Sequence, residues 1–188
     1  MPALENYRML AQYNRWMNIR LYDCAARLGD DKRRRDRGAF FKSIHGTLNH
    51  LLVGDHLWMG RFECLPFTWQ GHAHELHSEF DPMRRAREAM DVRIVALVER
   101  LKPEWIAGPF EYSKLSGTHV RVASFAALTH FFNHQTHHHR GQATTLLMQV
   151  GVDPGETDLV AMAGIQQEAT SWDAANPAPN RTNNIART

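Results

Sequence analysis

Apolar residues recur at helical spacing along most of the chain. In the first segment Leu4, Tyr7, Leu10, Ala11, Met17, Leu21, Cys24 and Leu28 fall on one face of a helix of about six turns, which Gly29 stops. A second helix over 39–62 carries Phe41, Ile44, Leu48, Leu51, Asp55, Trp58, Met59 and Phe62 along one side, with His50 at the edge of the stripe. Over 63–80 the period fails, because Pro66, Gly71 and the histidines at 72, 74 and 77 interrupt it; this reads as a long crossover. A third helix begins at Asp81, an N-cap followed by Pro82. It continues through Met83, Ala86, Met90, Ile94, Leu97 and Leu101 as far as Pro103. Residues 108–122 alternate around Ser116 and Gly117 and predict a short hairpin. A fourth helix over 124–150 ends at Gly151, with Pro154 beyond, and a shorter helix over 158–168 follows.

Four long helices, one long crossover and short remaining connections predict an all-α four-helix bundle, with the hairpin and the short C-terminal helix as additions. The predicted domain is 1–172. Residues 173–188, rich in Asn and Pro with little to bury, form a tail expected to be disordered.

Charge narrows the partners. Twenty-two Lys and Arg against twenty Asp and Glu leave a formal charge of +2, too balanced for a surface that binds polyanions. Six basic residues crowd into 27–37, but Asp30, Asp31 and Asp36 interleave with them and no aromatic residue is present for base stacking. That run reads as a solvated connection, and no nucleic-acid partner is expected. Cys24 and Cys64 form neither a disulfide framework nor a CxxC pair, Cys24 reading as core packing. No apolar run approaches the roughly 18 residues needed to span a bilayer, and no leader pattern opens the chain, so no membrane partner and a cytoplasmic location are expected.

Histidine changes the picture. Of twelve, five (His130, His134, His137, His138 and His139) lie within ten consecutive residues. Each helical residue turns by about 100°, so His130, His134 and His138 share one face with His137 beside it. The stripe extends to Ala127 on one side and to Gly141, Thr145 and Met148 on the other, positions expected to face the bundle. Burying unpaired imidazoles costs about 1 to 3 kcal/mol each. A metal ion would offset that cost; hydrogen bonds to backbone and water are the plainer alternative. The HxxxH spacing offers two ligands from one helix, and the third must come from another, where His50 is best placed. His45 and His56 lie further round, and isolated histidines such as His56, His72 and His119 read as surface or hydrogen-bonded residues. HExxH is absent, which excludes that metalloprotease pattern.

The segments YNRWMN (residues 13–18), FFKSIHGTLNHLLVGDHLW (40–58) and HFFNHQTHHHRGQ (130–142) resemble the DinB family, damage-inducible-type proteins of the wider DinB/YfiT-like superfamily; the resemblance extends over roughly residues 4 to 168. It implies an up-down-down-up bundle, often a homodimer, with a divalent metal on three histidines, which in this chain are His50, His134 and His138. In the family the second histidine of the pair is commonly followed at once by Arg-Gly-Gln, whereas here His139 stands between His138 and Arg140. Either His138 keeps its place, or a π-bulge turns His139 toward the site. The undistorted spacing favours His134 with His138.

Three neutral imidazoles leave an open position on a divalent ion, with zinc or nickel expected and iron or copper also compatible. The resemblance extends to thiol-dependent transferases, which implies a small-molecule substrate and activation of a low-molecular-weight thiol for transfer to a small electrophile. Metal-dependent hydrolysis is the alternative, and a non-catalytic metal-binding stress-response protein a third reading. A fourth protein ligand, His130 or His137, would mark the last. A haem site is disfavoured by Trp16, Trp58, Phe131 and Phe132, which leave little room. Asp55 is a candidate partner for a ligand histidine, and Asn14 a buried hydrogen-bonding or pocket-lining residue. No residue for proton transfer is identified.

Overall fold

A computed structural model describes residues 2–65, 67, 68, 71, 74–114 and 116–162, excluding the side chains of Pro2, His137 and His138. The chain is mostly helical, with one small antiparallel hairpin. Helix α1 (Pro2–Ala26) buries Leu4, Tyr7, Ala11, Met17, Leu21 and Cys24 along its expected stripe. The expected solvated connection contains a short helix, α2 (Asp30–Arg34). Asp30 and Asp31 lie in its first turn and Lys32, Arg33 and Arg34 in its last, the charge order that complements a helix dipole. Arg33 also donates to the carbonyls of Leu28 and Ala25, covering acceptors that the end of α1 leaves open.

Helix α3 (Ile44–Phe62) starts five residues later than its apolar phase predicts. The hydroxyl of Ser43 accepts from the Gly46 N–H at 3.0 Å and caps the helix. Residues 38–42 turn tightly before it, with Gly38 at φ 70° and Lys42 at φ 64°. Gly46 is required by this turn: a Cβ there would lie 2.2 Å from the Phe41 carbonyl oxygen.

Among the described residues of the crossover up to Glu79 there is neither helix nor strand, as expected; its last residue, Phe80, opens the next helix. Helix α4 (Phe80–Arg100) is preceded by Glu79 as N-cap, so Asp81 and Pro82 lie inside its first turn. Proline is harmless there because the first N–H groups of a helix have no intrahelical acceptor. Pro103 ends nothing but opens a further short helix, α5 (Pro103–Ala107), which the sequence pattern missed. Strands β1 (Pro109–Ser113) and β2 (His119–Ala123) pair antiparallel from Pro109 opposite Ala123 to Ser113 opposite His119, around Gly117 at φ 80°, as predicted.

The expected fourth helix is interrupted. It runs as α6 (Ser124–Asn133), a π-helical turn (His134–Arg140) and α7 (Gly141–Met148). Gly151 at φ 77° and the Val152 N–H donating to the Leu147 carbonyl at 3.0 Å close it where the sequence indicated.

Helix α1 packs against α4, α6 and α7, and α3 packs against α4, α7 and the π turn. Leu21, Leu48, Leu52, Met59, Met83, Ile94, Leu128 and Leu147 lie fully buried between them. No described helix is long and apolar enough to cross a membrane. The chain divides into two units, residues 1–155 and 156–188. Within the described part of the second, Leu159–Ala161 form a single 3-10 turn in the region of the expected terminal helix. The rest of that helix, the boundary at 172 and the tail from 173 lie outside the described residues.

Candidate functional site

The π turn carries one more residue per turn than an α-helix, and everything after it moves round by one position. Beyond the turn the stripe expected to face the core therefore does not persist: Gly141, Thr145 and Met148 are exposed. Before the turn, and independently of it, His130 is exposed as well. The buried face runs instead through Leu128, Phe131, Phe132, Gln135, His139, Arg140, Ala143 and Leu147. This brings His139 inside, where it is only 3% exposed.

There it meets His50 and His134. The ring of His139 stands 4.6 Å from that of His50 and 4.5 Å from that of His134, nearly edge-on to both at 73° and 80°. His50, half-buried on α3, stacks on Phe41 at 3.7 Å, and Phe41 also meets His139 edge-on at 5.4 Å. His134 stacks on His130 at 5.3 Å, and His130 packs on Trp58 at 5.0 Å. Of the histidines expected to hold a metal, the structure thus brings His50 and His134 to one spot with His139. His138, the third expected ligand, and His137 have side chains outside the described residues.

Imidazoles bound to one tetrahedral ion at N–metal distances of about 2.1 Å place their ring centroids about 5 Å apart. The observed separations lie a few tenths of an ångström inside that value. Among the described residues no group of three or more His, Cys, Asp or Glu side chains is arranged to hold a metal ion. The donor set, three imidazoles, suits a borderline divalent ion by its chemistry.

Phe41 has a second role in the site. It also lines a cavity of about 480 Å³, shared with Arg34, Lys42, His45, Asn49 and Glu75, so one aromatic residue touches both the histidines and this cavity. That volume lies within the ordinary range for small-molecule pockets. His45 is buried at its edge, with Nε2 3.0 Å from both the His77 carbonyl and Glu75. Asn49 clamps the crossover by donating to the His77 carbonyl at 2.8 Å and accepting from its N–H at 3.2 Å.

Asp55 accepts from Arg87 and from the amide of Gln135, and it is one member of a closed buried ring. Arg87 pairs at 2.8 Å with Asp91, whose Oδ1 accepts from Asn18 at 2.8 Å and Asn14 at 3.2 Å. Asn14 in turn accepts from Arg140 at 3.0 Å, and Arg140 Nε donates to the Gln135 carbonyl at 3.3 Å, which closes the circuit. Two carboxylates balance two guanidiniums. Burial pushes the Asp91 carboxyl up to about 6 against the pull of Arg87 and Asn18. Burial draws Arg140 down to about 10. For Arg87 burial acts the same way, yet Asp55 and Asp91 together hold it above its ordinary value.

Arg87, Asp91, Gln135 and Arg140 were not singled out by the sequence pattern, although Arg87 and Asp91 fall on the same helical face as Met83, Met90 and Ile94. The remaining candidates are structural. Asn14 is a buried hydrogen-bonding residue, Cys24 is packed in the core and Cys64 is exposed. His56 stacks on Phe67, His119 lies beside Glu111 on β2, and His72 is outside the described residues.

No curated protein matches the chain. The family model of DinB proteins spans residues 1–172, covering α1, the Phe41 turn, the π turn and all three clustered histidines, and the chain belongs to the DinB family.

Proposed function

We propose that the protein is a metal-dependent enzyme, built on a four-helix bundle, that holds one divalent ion on His50, His134 and His139 and activates a low-molecular-weight thiol for transfer to a small electrophile. The observation that carries this reading is the placement of the His139 ring against two other imidazoles, 4.6 Å from His50 on α3 and 4.5 Å from His134 in the π turn. When bound, zinc or nickel supplies the Lewis acidity that makes a thiolate available near neutral pH. The chain supplies the rest. His139 is buried, which keeps its side of the site dry and strengthens electrostatic interactions there. Phe41 stacks on His50 and walls the adjacent cavity, so a molecule seated there lies one aromatic ring away from the histidines. Arg34, Lys42, Asp36 and Glu75 on that wall offer charges of both signs to a small polar substrate.

The test is turnover of an aryl halide electrophile with a panel of low-molecular-weight thiols, using untagged protein before and after chelation and after zinc or nickel is restored. Thiol consumption that disappears on chelation, returns with metal and fails in His50→Ala supports the reading. Stoichiometric metal with no turnover of any thiol leaves a metal-binding protein without transferase activity.

A further inference from the structure

The buried ring explains why the π turn exists. A single π turn inside an α-helix is less favourable than the uninterrupted helix and persists where the surroundings hold it. Here both ends of the turn are held. At its start Gln135 reaches across to α3, where its amide donates to the Asp55 carboxylate and to the Leu51 carbonyl at 2.9 Å. At its end Arg140 reaches α1, donating to Asn14 at 3.0 Å and lying over the Tyr13 ring at 5.6 Å. Arg140 also bridges the turn itself, through Nε to the Gln135 carbonyl and Nη2 to the Thr136 hydroxyl at 2.7 Å. Gly54 on α3 lets Gln135 lie this close: a Cβ there would sit 3.3 Å from the Gln135 amide nitrogen.

We infer that Gln135 and Arg140 are positioning residues that lock the extra residue into the turn, and so set His139 facing His50 and His134. Relaxation to a regular α-helix would rotate His139 away by about 100°, and in such a helix His134 and His138 share a face. Two candidate ligands thus lie side by side in the sequence, and a ring of charges on the other helices selects between them. This inference rests on the proposed metal site for its consequence, but its geometry is testable in metal-free protein.

The experiment is NMR on histidine-labelled protein without metal, reading through-space contacts between imidazole ring protons, followed by titration with cobalt(II). In the parent, contacts of His139 with His50 and with His134 are expected. In Gln135→Leu and in Arg140→Lys, which keeps the charge but loses the fork, the His50–His139 contact disappears while the far-ultraviolet spectrum remains helical. Gly54→Ala, which presses a methyl group on Gln135 without removing a charge, weakens the same contact and serves if the other variants do not fold. In cobalt titrations His139→Ala weakens binding by at least about tenfold more than His138→Ala, and in the Arg140→Lys background that order reverses. A folded Gln135→Leu or Arg140→Lys variant that keeps the His50–His139 contact would overturn the positioning role, whether or not cobalt binds. A parent with the contact but no cobalt binding would overturn the metal reading alone.

Discussion

Two polar clusters, one buried and one half-buried, lie on neighbouring stretches of the same helices, and they are built in opposite ways. The ring of Asp55, Arg87, Asp91, Asn14, Arg140 and Gln135 joins opposite charges and complementary amides, so its members neutralise one another. The trio of His50, His134 and His139 joins three groups of one kind, all able to offer a nitrogen lone pair and none able to neutralise another. A cluster of the first kind fastens helices together; a cluster of the second kind suits a cation. The two are linked through the π turn, whose residues Gln135 and Arg140 belong to the ring and whose residues His134 and His139 belong to the trio.

The largest expected effect comes from opening the ring. Arg87→Met leaves Asp55 and Asp91 buried without their shared cation and should lower the unfolding free energy by about 3 to 5 kcal/mol, measured by urea denaturation. The trio should respond to metal instead. Zinc at a hundredfold excess over its dissociation constant should stabilise the parent by about 2.7 kcal/mol, and His50→Ala should abolish that increment. If zinc stabilises both equally, the contrast between fastener and cation site is lost.

Smaller changes sharpen the comparison. Gly46→Ala drives a methyl group into the Phe41 carbonyl and should cost about 1 to 3 kcal/mol while displacing the ring that covers His50. Gly141→Ala, at the start of α7 with nothing within 4 Å of the added carbon, should stabilise by about 0.5 to 1 kcal/mol and leave both clusters unchanged. His56 lies outside both, and burial, followed by the charge of Arg93, holds its imidazole below the ordinary value. Native protein therefore favours the neutral ring: this contribution to stability is full above the unfolded-state value of about 6.5 and is lost as pH falls through and below it. His56→Gln should flatten the decline in unfolding free energy between pH 7 and pH 5, the smallest of these effects.

The long helices and the hairpin were legible because apolar spacing and the Ser116-Gly117 turn act locally. The late start of α3 was not, since Ala39 to Lys42 continue the apolar phase and only the left-handed backbone at Lys42 and the Ser43 cap interrupt it. His50 and His134 could be singled out from spacing and resemblance. The burial of His139 follows the π turn, whose Gln135 and Arg140 bond Asp55 on α3 and Asn14 on α1, partners that a local pattern does not contain. The ring itself escaped notice for a similar reason: a charged residue in a helix reads as solvent-facing. Arg87 and Asp91, four residues apart on an apolar face and of opposite sign, were the available signal.

The most direct measurement is metal content by elemental analysis of untagged protein, loaded with zinc or nickel and desalted, for the parent and for separate His50→Ala, His134→Ala, His138→Ala and His139→Ala variants. One ion per chain in the parent and in His138→Ala, with none in the other three, is the predicted result. Retention in His139→Ala with loss in His138→Ala, or no ion in the parent, would contradict the site described here.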